Sequence, residues 1–354
     1  MSAQVLNGGG GRGLALALAA VALITLGEIR LRERLLYADA SEMEFVRANV
    51  GGIVEGRPVS KSWQQRVLAP LAVRTLIPVA GSDLAAIRLL ENLLVAAANL
   101  LLFVLVRRRG CRRADAMLTV ALFGFAHLLL MYRLEYPWDG VDALIFLAFG
   151  AAAARGRSLA SLWPLLLVGT LNRETVLYLP LWYLVAGPRR VRVGAAATGA
   201  AVGVAILVLR QALYRGRPDF PADWFQPALP LIANEGHLLH NLGEALFDDW
   251  RSGRVFIAAM LLGAIALFVR RARRRTDATA AVWSLAVIAT VFCFGYVNET
   301  RLYLPLLAFW ATYLPPGSLW GADQQRPVRR DAGQDDDQKT LTGASFKKAR
   351  FGST

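Results

Sequence analysis

Sulfur chemistry is nearly missing from this chain. Its two cysteines, Cys111 and Cys293, stand apart, one in an arginine cluster and one in an apolar run. Neither a disulfide framework nor a cysteine metal cluster is encoded. Histidine is as scarce. His237 and His240 lie one helical turn apart on an amphipathic interfacial segment, with no third ligand in view, so no metal site is expected. Walker A, His-Glu-x-x-His and Gly-x-Ser-x-Gly patterns are absent, which removes the P-loop, zincin and nucleophile-elbow routes to chemistry. Gly8, Gly10 and Gly13 formally match Gly-x-Gly-x-x-Gly, but no strand precedes them and the stretch reads as a flexible lead. No small-residue cleavage site follows the apolar run 14–29, which therefore reads as a span and not a removable signal.

What the chain does have is apolar residues in blocks. Of its 354 residues 55% are hydrophobic, gathered into runs of about 14–23 separated by arginine clusters, the pattern of a multi-pass helical membrane protein. The net charge of +14 sits at the ends of apolar blocks, where it orients helices; a nucleic-acid partner is not indicated. The expected fold is all-α and polytopic. Spans are read at 14–29, 84–106, 115–131, 140–154, 194–209, 255–269, 279–297 and 302–314. The block 159–185 is too long for one crossing and reads as a hairpin of two short helices meeting at Asn172 and Arg173. That makes about ten spans. The run 67–80, broken by Pro70, Arg74 and Pro78, reads as re-entrant or interfacial.

Arginine clusters at 107–113, 155–157, 189–192 and 270–275 all fall in the cytoplasm under one parity, with both termini inside. A rival places the N-terminus outside and lets 67–80 cross. The basic residues of 30–61 favour it; Arg74 and two prolines inside so short a crossing oppose it. The expected organisation is a transmembrane unit over 1–315 with outer loops 30–83 and 210–254, followed by a disordered cytoplasmic tail over 316–354.

Asn172, Arg173 and Glu174 interrupt the apolar block 159–185. An ionised residue at bilayer depth costs about 2.5–3.5 kcal/mol on the gentlest scale, so such residues face a water-filled cavity or a partner. The stretch then recurs. Glu-Thr-x-Leu-Tyr-Leu-Pro-Leu stands at 174–181 and again at 299–306, with Arg173 before one glutamate and Arg301 after the other. Both copies read as polar rims at the start of membrane helices, opening onto one shared site. Asp39, Glu42, Glu44 and Arg66 in the first outer loop fall on the same face. So do Arg133, Glu135, Asp139 and Asp142, before and within the start of a span. Plainer roles exist for several: Asp39-x-x-Glu42 and Ser41-x-x-Glu44 fit capping boxes, and Asp139 and Asp142 suit a helix N-terminus.

An outer-face site on such a protein suits a half-lipid substrate, its tail between helices and its head at the polar rim. A phosphate head needs cations, and Arg gives it bidentate contacts that Lys cannot. Arg66, Arg173 and Arg301 are the candidates. Expelling a lipid phosphate also needs a carboxylate to take the acceptor's proton and cations to hold the leaving charge.

The order of an N-terminal span, an early loop acid in Tyr37-Ala-Asp39 and the motif Arg66-Val-Leu-Ala-Pro-Leu71 resembles the membrane glycosyltransferases of the GT-C fold class, especially small bacterial ones. The later Arg-Glu-Thr and Glu-Thr-Arg motifs resemble that group too. The resemblance covers residues 14–314 and implies a polyprenyl-phosphate-linked sugar donor, a glycan, lipid or protein acceptor, and inverting transfer at the outer face of a bacterial plasma membrane. It implies Asp39 as general base with Glu42 as substitute, and Arg66, Arg173 and Arg301 as holders of the donor phosphate. Asn172, Glu174, Glu299, Asp139, Asp142 and Arg133 would orient arginines or sugar hydroxyls. No cofactor is predicted; some relatives use a divalent cation, and nothing in this sequence demands one. The chain departs from larger members in lacking a sizeable soluble C-terminal domain. Competing readings are a lipid-linked sugar flippase or transporter, a glycan polymerase or ligase using lipid-diphosphate substrates, and a non-enzymatic scaffold. A transporter should carry polar residues deep in several spans.

Overall fold

A computed structural model describes residues 11–35, 37, 40–57, 59, 63, 66–131, 135–214, 263, 275–294 and 300–314, without the side chains of residues 42, 214, 275–277, 292 and 294. Among these residues the chain is helical, with no strand. In order come α1 (Gly11–Leu35), α2 (Ala40–Glu55), α3 (Leu68–Ala80), α4 (Asp83–Arg108), α5 (Arg113–Leu130) and α6 (Pro137–Ala154). Then follow α7 (Trp163–Asn172), α8 (Tyr178–Ala186), α9 (Arg189–Tyr214), α10 (Arg275–Phe294) and α11 (Leu304–Tyr313). Five of the described helices, α1, α4, α5, α6 and α9, are long and apolar enough to cross a membrane. The protein is a helical membrane protein on that ground. Most of the stretch 30–83, expected as a loop, is helical: α1 runs on to Leu35, and α2 and α3 follow.

Local chemistry sets the breaks. Gly81 closes α3 in the left-handed region (φ 82°) and returns its N–H to the Ile77 carbonyl. Ser82 then caps α4 by accepting from the Ala85 N–H at 3.2 Å. Pro137 stands at the start of α6, where its missing N–H costs nothing.

Contacts along the helices fix their directions. Thr25 and Glu28 of α1 meet Asn99 of α4, and Glu28 meets His127 of α5. The C-terminal ends of α1 and α5 therefore lie with the N-terminal ends of α4 and α6. The opposite end collects arginines: Arg109 donates to the Thr312 and Tyr313 carbonyls closing α11. The Tyr183 hydroxyl donates to the Arg157 carbonyl at 2.7 Å.

Residues 159–186 do fold out and back. Asn172, at the turn, donates to the Trp138 carbonyl at 3.0 Å, beside the start of α6. The return arm ends beside Arg157, just past the end of α6. α7 has 10 residues and α8 has 9. At about 1.5 Å per residue neither spans a hydrocarbon core of about 30 Å. The turn lies beside the first turn of α6, and each arm is shorter than a full crossing.

α6 is the hub. Of the residues in its apolar stretch 72% are buried, against 22% for α1 and α9. Lipid is as apolar as leucine, so close packing holds such helices together and small residues permit it. Gly140 lets α4 approach: a Cβ there would stand 2.9 Å from that of Leu94. Gly150 lets α11 approach: a Cβ there would stand 2.5 Å from the Phe309 carbonyl oxygen. Around this contact Phe149, Trp182, Trp283 and Phe309 form one aromatic cluster, with Trp283 and Phe309 centroids 4.4 Å apart. Gly150→Ala is expected to cost about 1–3 kcal/mol by overpacking, read as a lower thermal midpoint in detergent. Gly203→Ala, facing open space, should leave the midpoint unchanged or raise it.

Candidate functional site

The first copy of the repeated octapeptide, and the second from Thr300 on, build similar local structure, shifted by one position. Residues Glu174–Leu177 and Thr300–Tyr303 are 3-10 turns, each leading directly into a short helix with a proline in its first turn, Pro180 in α8 and Pro305 in α11. Aromatic contacts set both short helices alongside α6: Tyr178 on Phe146, Trp182 and Phe309 on Phe149. Their leading turns thus arrive at the same end of α6.

Asp139 receives them. Arg173 Nη1 reaches Asp139 Oδ1 at 2.6 Å, and Arg301 Nη1 lies 3.5 Å from Asp139 Oδ2. The same Oδ2 accepts the Tyr136 backbone N–H at 3.1 Å. Helix start and charge partner are therefore one residue. Asp142, one turn on, accepts from Asn172 Nδ2 and from the Thr175 hydroxyl, each at 2.8 Å. It lies 3.7 Å from Arg173. Asp139, Asp142, Asn172, Arg173 and Arg301 are all buried.

Arg66 comes from a third segment. Val67 N–H donates to the Leu171 carbonyl at 3.0 Å, tying the start of α3 to the α7–α8 turn. The Arg66 guanidinium then lies over Trp138, 5.2 Å from its ring centroid, and Nη2 donates to Glu174 Oε1 at 2.8 Å. Its Nε and Nη1 are buried with no partner among the described residues. Arg301 stacks similarly over Tyr136 at 4.5 Å, and Tyr136 and Trp138 stack on each other. Three arginines from three segments thus share one recess with Asp139, Asp142 and Glu174. Glu174 alone of these acids is open to solvent, its side chain 43% exposed.

Of the residues singled out from sequence, Arg66, Asp139, Asp142, Asn172, Arg173, Glu174 and Arg301 are brought together. Asp39, Arg133 and Glu299, the side chain of Glu42, and both His237 and His240 lie outside the described residues. No group of three or more His, Cys, Asp or Glu fit to hold a metal occurs among the described residues.

Apart from Glu135, sequence reading missed a second polar system at the same end. Glu28 Oε1 meets His127 Nδ1 at 3.1 Å; Asn99 donates to Glu28 Oε2 at 2.7 Å. Gly124 makes room for that carboxylate, since a Cβ there would stand 2.7 Å from Glu28 Oε2. His127 Nε2 faces Glu135 Oε1 at 3.8 Å, and Glu135 pairs with Arg32, which is fully buried. The Tyr37 hydroxyl donates to Glu91 Oε2. Burial pushes the Tyr37 phenol above its ordinary range and the Glu91 carboxylate pushes the same way, so the phenol keeps the proton it donates. The signal was available: Glu28 and Arg32, four residues apart on one face of α1, are charges within or beside an apolar run.

Removing one partner of a buried pair strands the other, at about 3–5 kcal/mol. Asp139→Asn should therefore unfold at a markedly lower temperature than the parent, while Glu174→Gln, with its carboxylate half open to water, should lose far less. Comparison with known proteins adds nothing to this geometry: no protein-family model, no curated protein and no solved structure matches the chain.

Proposed function

We propose that the protein transfers a sugar from a polyprenyl-phosphate donor to an acceptor at the extracytoplasmic face of a bacterial plasma membrane. One observation carries this reading: Arg66, Arg173 and Arg301, delivered by three separate segments, meet at the end of the bundle opposite Arg109 and Arg157, members of two of the arginine clusters. The positive-inside rule puts those clusters in the cytoplasm and the recess outside. On this reading the chain makes about ten crossings in a GT-C-like arrangement, with both termini inside and the short arms of 159–186 crossing where the bilayer thins around them.

The chemistry follows from the charges. The acceptor hydroxyl attacks the anomeric carbon as a carboxylate takes its proton. The bond from that carbon to the phosphate oxygen breaks, and the phosphate leaves with the electron pair. Guanidinium groups fixed in advance stabilise that charge without reorganising, and their forked donors match phosphate oxygens. Asp39 is our base, with Glu42 as substitute; Tyr37, two residues before Asp39, lies at the recess end of the bundle beside Glu91. Asp139 and Asp142 hold Arg173, Asn172 and Arg301 in place. The donor's prenyl tail lies against lipid-facing helix surface.

A second reading has its own support. Glu28, Asn99 and His127 lie within α1, α4 and α5, the placement of polar groups that proton relays in transporters use. On that reading the protein carries a lipid-linked sugar across the membrane.

Asp39→Asn in purified membranes with labelled polyprenyl-phosphate sugars separates the two. Loss of transfer by about 10²–10⁴-fold, the usual worth of a general base, is expected. Undiminished transfer removes Asp39 from the mechanism. Movement of donor between leaflets by the parent protein, with no transfer, favours the carrier.

A further inference from the structure

We infer that Glu174 is a removable counterion: it occupies Arg66 while the recess is empty and gives that guanidinium up to the phosphate of a prenyl phosphate. This deepens the reading of the recess as a phosphate site and rests on it.

The three carboxylates of the recess are not alike. Asp139 is fully buried and accepts from Arg173, the Tyr136 N–H and Arg301. Asp142, equally buried, accepts from Asn172 and Thr175. Moving either would strand several buried donors at once. Glu174 pairs with Arg66 and lies 3.8 Å from Arg173 Nε, but its side chain is 43% exposed, so its carboxylate can turn to water.

Arg66 does not depend on Glu174 for its position. Its own N–H donates to the Trp63 carbonyl at 2.9 Å, and the next N–H is bonded to Leu171. Its guanidinium rests on the Trp138 ring. What it lacks is acceptors: its side chain is 3% exposed, yet Nε and Nη1 have none among the described residues. Trp138 Nε1, in the ring beneath it, is also buried without a partner among them. A buried guanidinium with unmet donors is an unfinished ion site. A tetrahedral phosphate has oxygens enough to complete it, where one carboxylate oxygen at Nη2 does not.

The carboxylate also screens the recess. With Glu174 in place the three arginines face three acids, so a weakly charged headgroup gains little by entering. A phosphate monoester, the group that leaves in the transfer, carries more charge and more acceptors than a carboxylate and displaces it. Occupation of Arg66 by phosphate and ejection of Glu174 are then one event.

The test is calorimetric titration of the full chain in nanodiscs with farnesyl phosphate, inorganic phosphate and farnesol, using the parent, Glu174→Gln, Glu174→Ala and Arg66→Gln. Loss of the competing charge should tighten farnesyl phosphate about ten- to a hundredfold in both Glu174 variants, the worth of a charge-assisted hydrogen bond. Arg66→Gln should abolish the gain when combined with Glu174→Gln. Tightening for inorganic phosphate as well, with none for farnesol, assigns the effect to the phosphate and not to the lipid tail. Equal or weaker binding by both Glu174 variants overturns the inference, as does failure of the parent and both variants to bind any phosphate. Tightening without any sugar transfer leaves the counterion standing and removes the transferase reading.

Discussion

One buried carboxylate, Asp139, decides how the two halves of the described chain meet. It stands in the first turn of α6, accepts the Tyr136 N–H, and takes Arg173 on one oxygen and Arg301 on the other. Buried ion pairs add little net stability, because desolvation cancels most of the attraction. They are costly to leave unmade, however, and that makes them specific. An α7–α8 turn slipped by one residue would bury Arg173 without an acid. A displaced Thr300–Tyr303 turn would do the same to Arg301. Packing alone cannot enforce this register in a bundle whose helices present leucine and alanine to lipid and to each other alike. The charge fixes the register, and the glycines of α6 then let the backbones close.

The repeat shows how one short sequence serves that purpose twice. Glu-Thr-x-Leu-Tyr-Leu-Pro-Leu makes a 3-10 turn and then a helix whose early proline cannot continue the hydrogen-bond ladder backward. The break is therefore built in, and polar residues placed before it stay at the helix mouth. In the first copy the arginine precedes the glutamate; in the second it follows the threonine. The offset carries Arg173 and Arg301 to opposite oxygens of one carboxylate. Thr175 and Thr300, equivalent in the motif, both bond across to other segments: Thr175 to Asp142, Thr300 to the Leu130 carbonyl.

This much was legible in the residues themselves. The turn at Asn172 and Arg173 and the meeting of the two copies follow from charges that have no business in an apolar block. The long helices α1, α4, α5 and α6 follow from run length. The helical stretch of α2 was overlooked although Met43, Val46, Val50 and Ile53, all buried, recur at helical spacing; Glu42, Glu44 and Arg47 among them made it read as a polar loop. The Glu28–His127–Glu135–Arg32 system was hidden for another reason. Its members come from three stretches of chain, Glu28 and Arg32 from α1, His127 from α5 and Glu135 from before α6. Only the side-by-side packing of α1, α4 and α5 reveals that these isolated costs offset one another. Sequence distance measures that poorly: Glu28 and His127 stand 99 positions apart and touch.

The two polar systems are coupled through covalent chain and stacked rings. Glu135, which pairs with Arg32, is followed directly by Tyr136. The ring of Tyr136 carries Arg301 and stacks on Trp138, which carries Arg66. The backbone from Glu135 to Trp138 thus joins the Arg32 pair to the rings beneath two of the three guanidiniums. The third, Arg173, is held by Asp139 and Asp142 on α6, whose first turn begins at Pro137, two residues after Glu135. A site assembled this way cannot be altered at Asp139 without shifting cations contributed by distant segments. The position of each of its cations then depends less on any single contact than on how few of the charges around it are free to move.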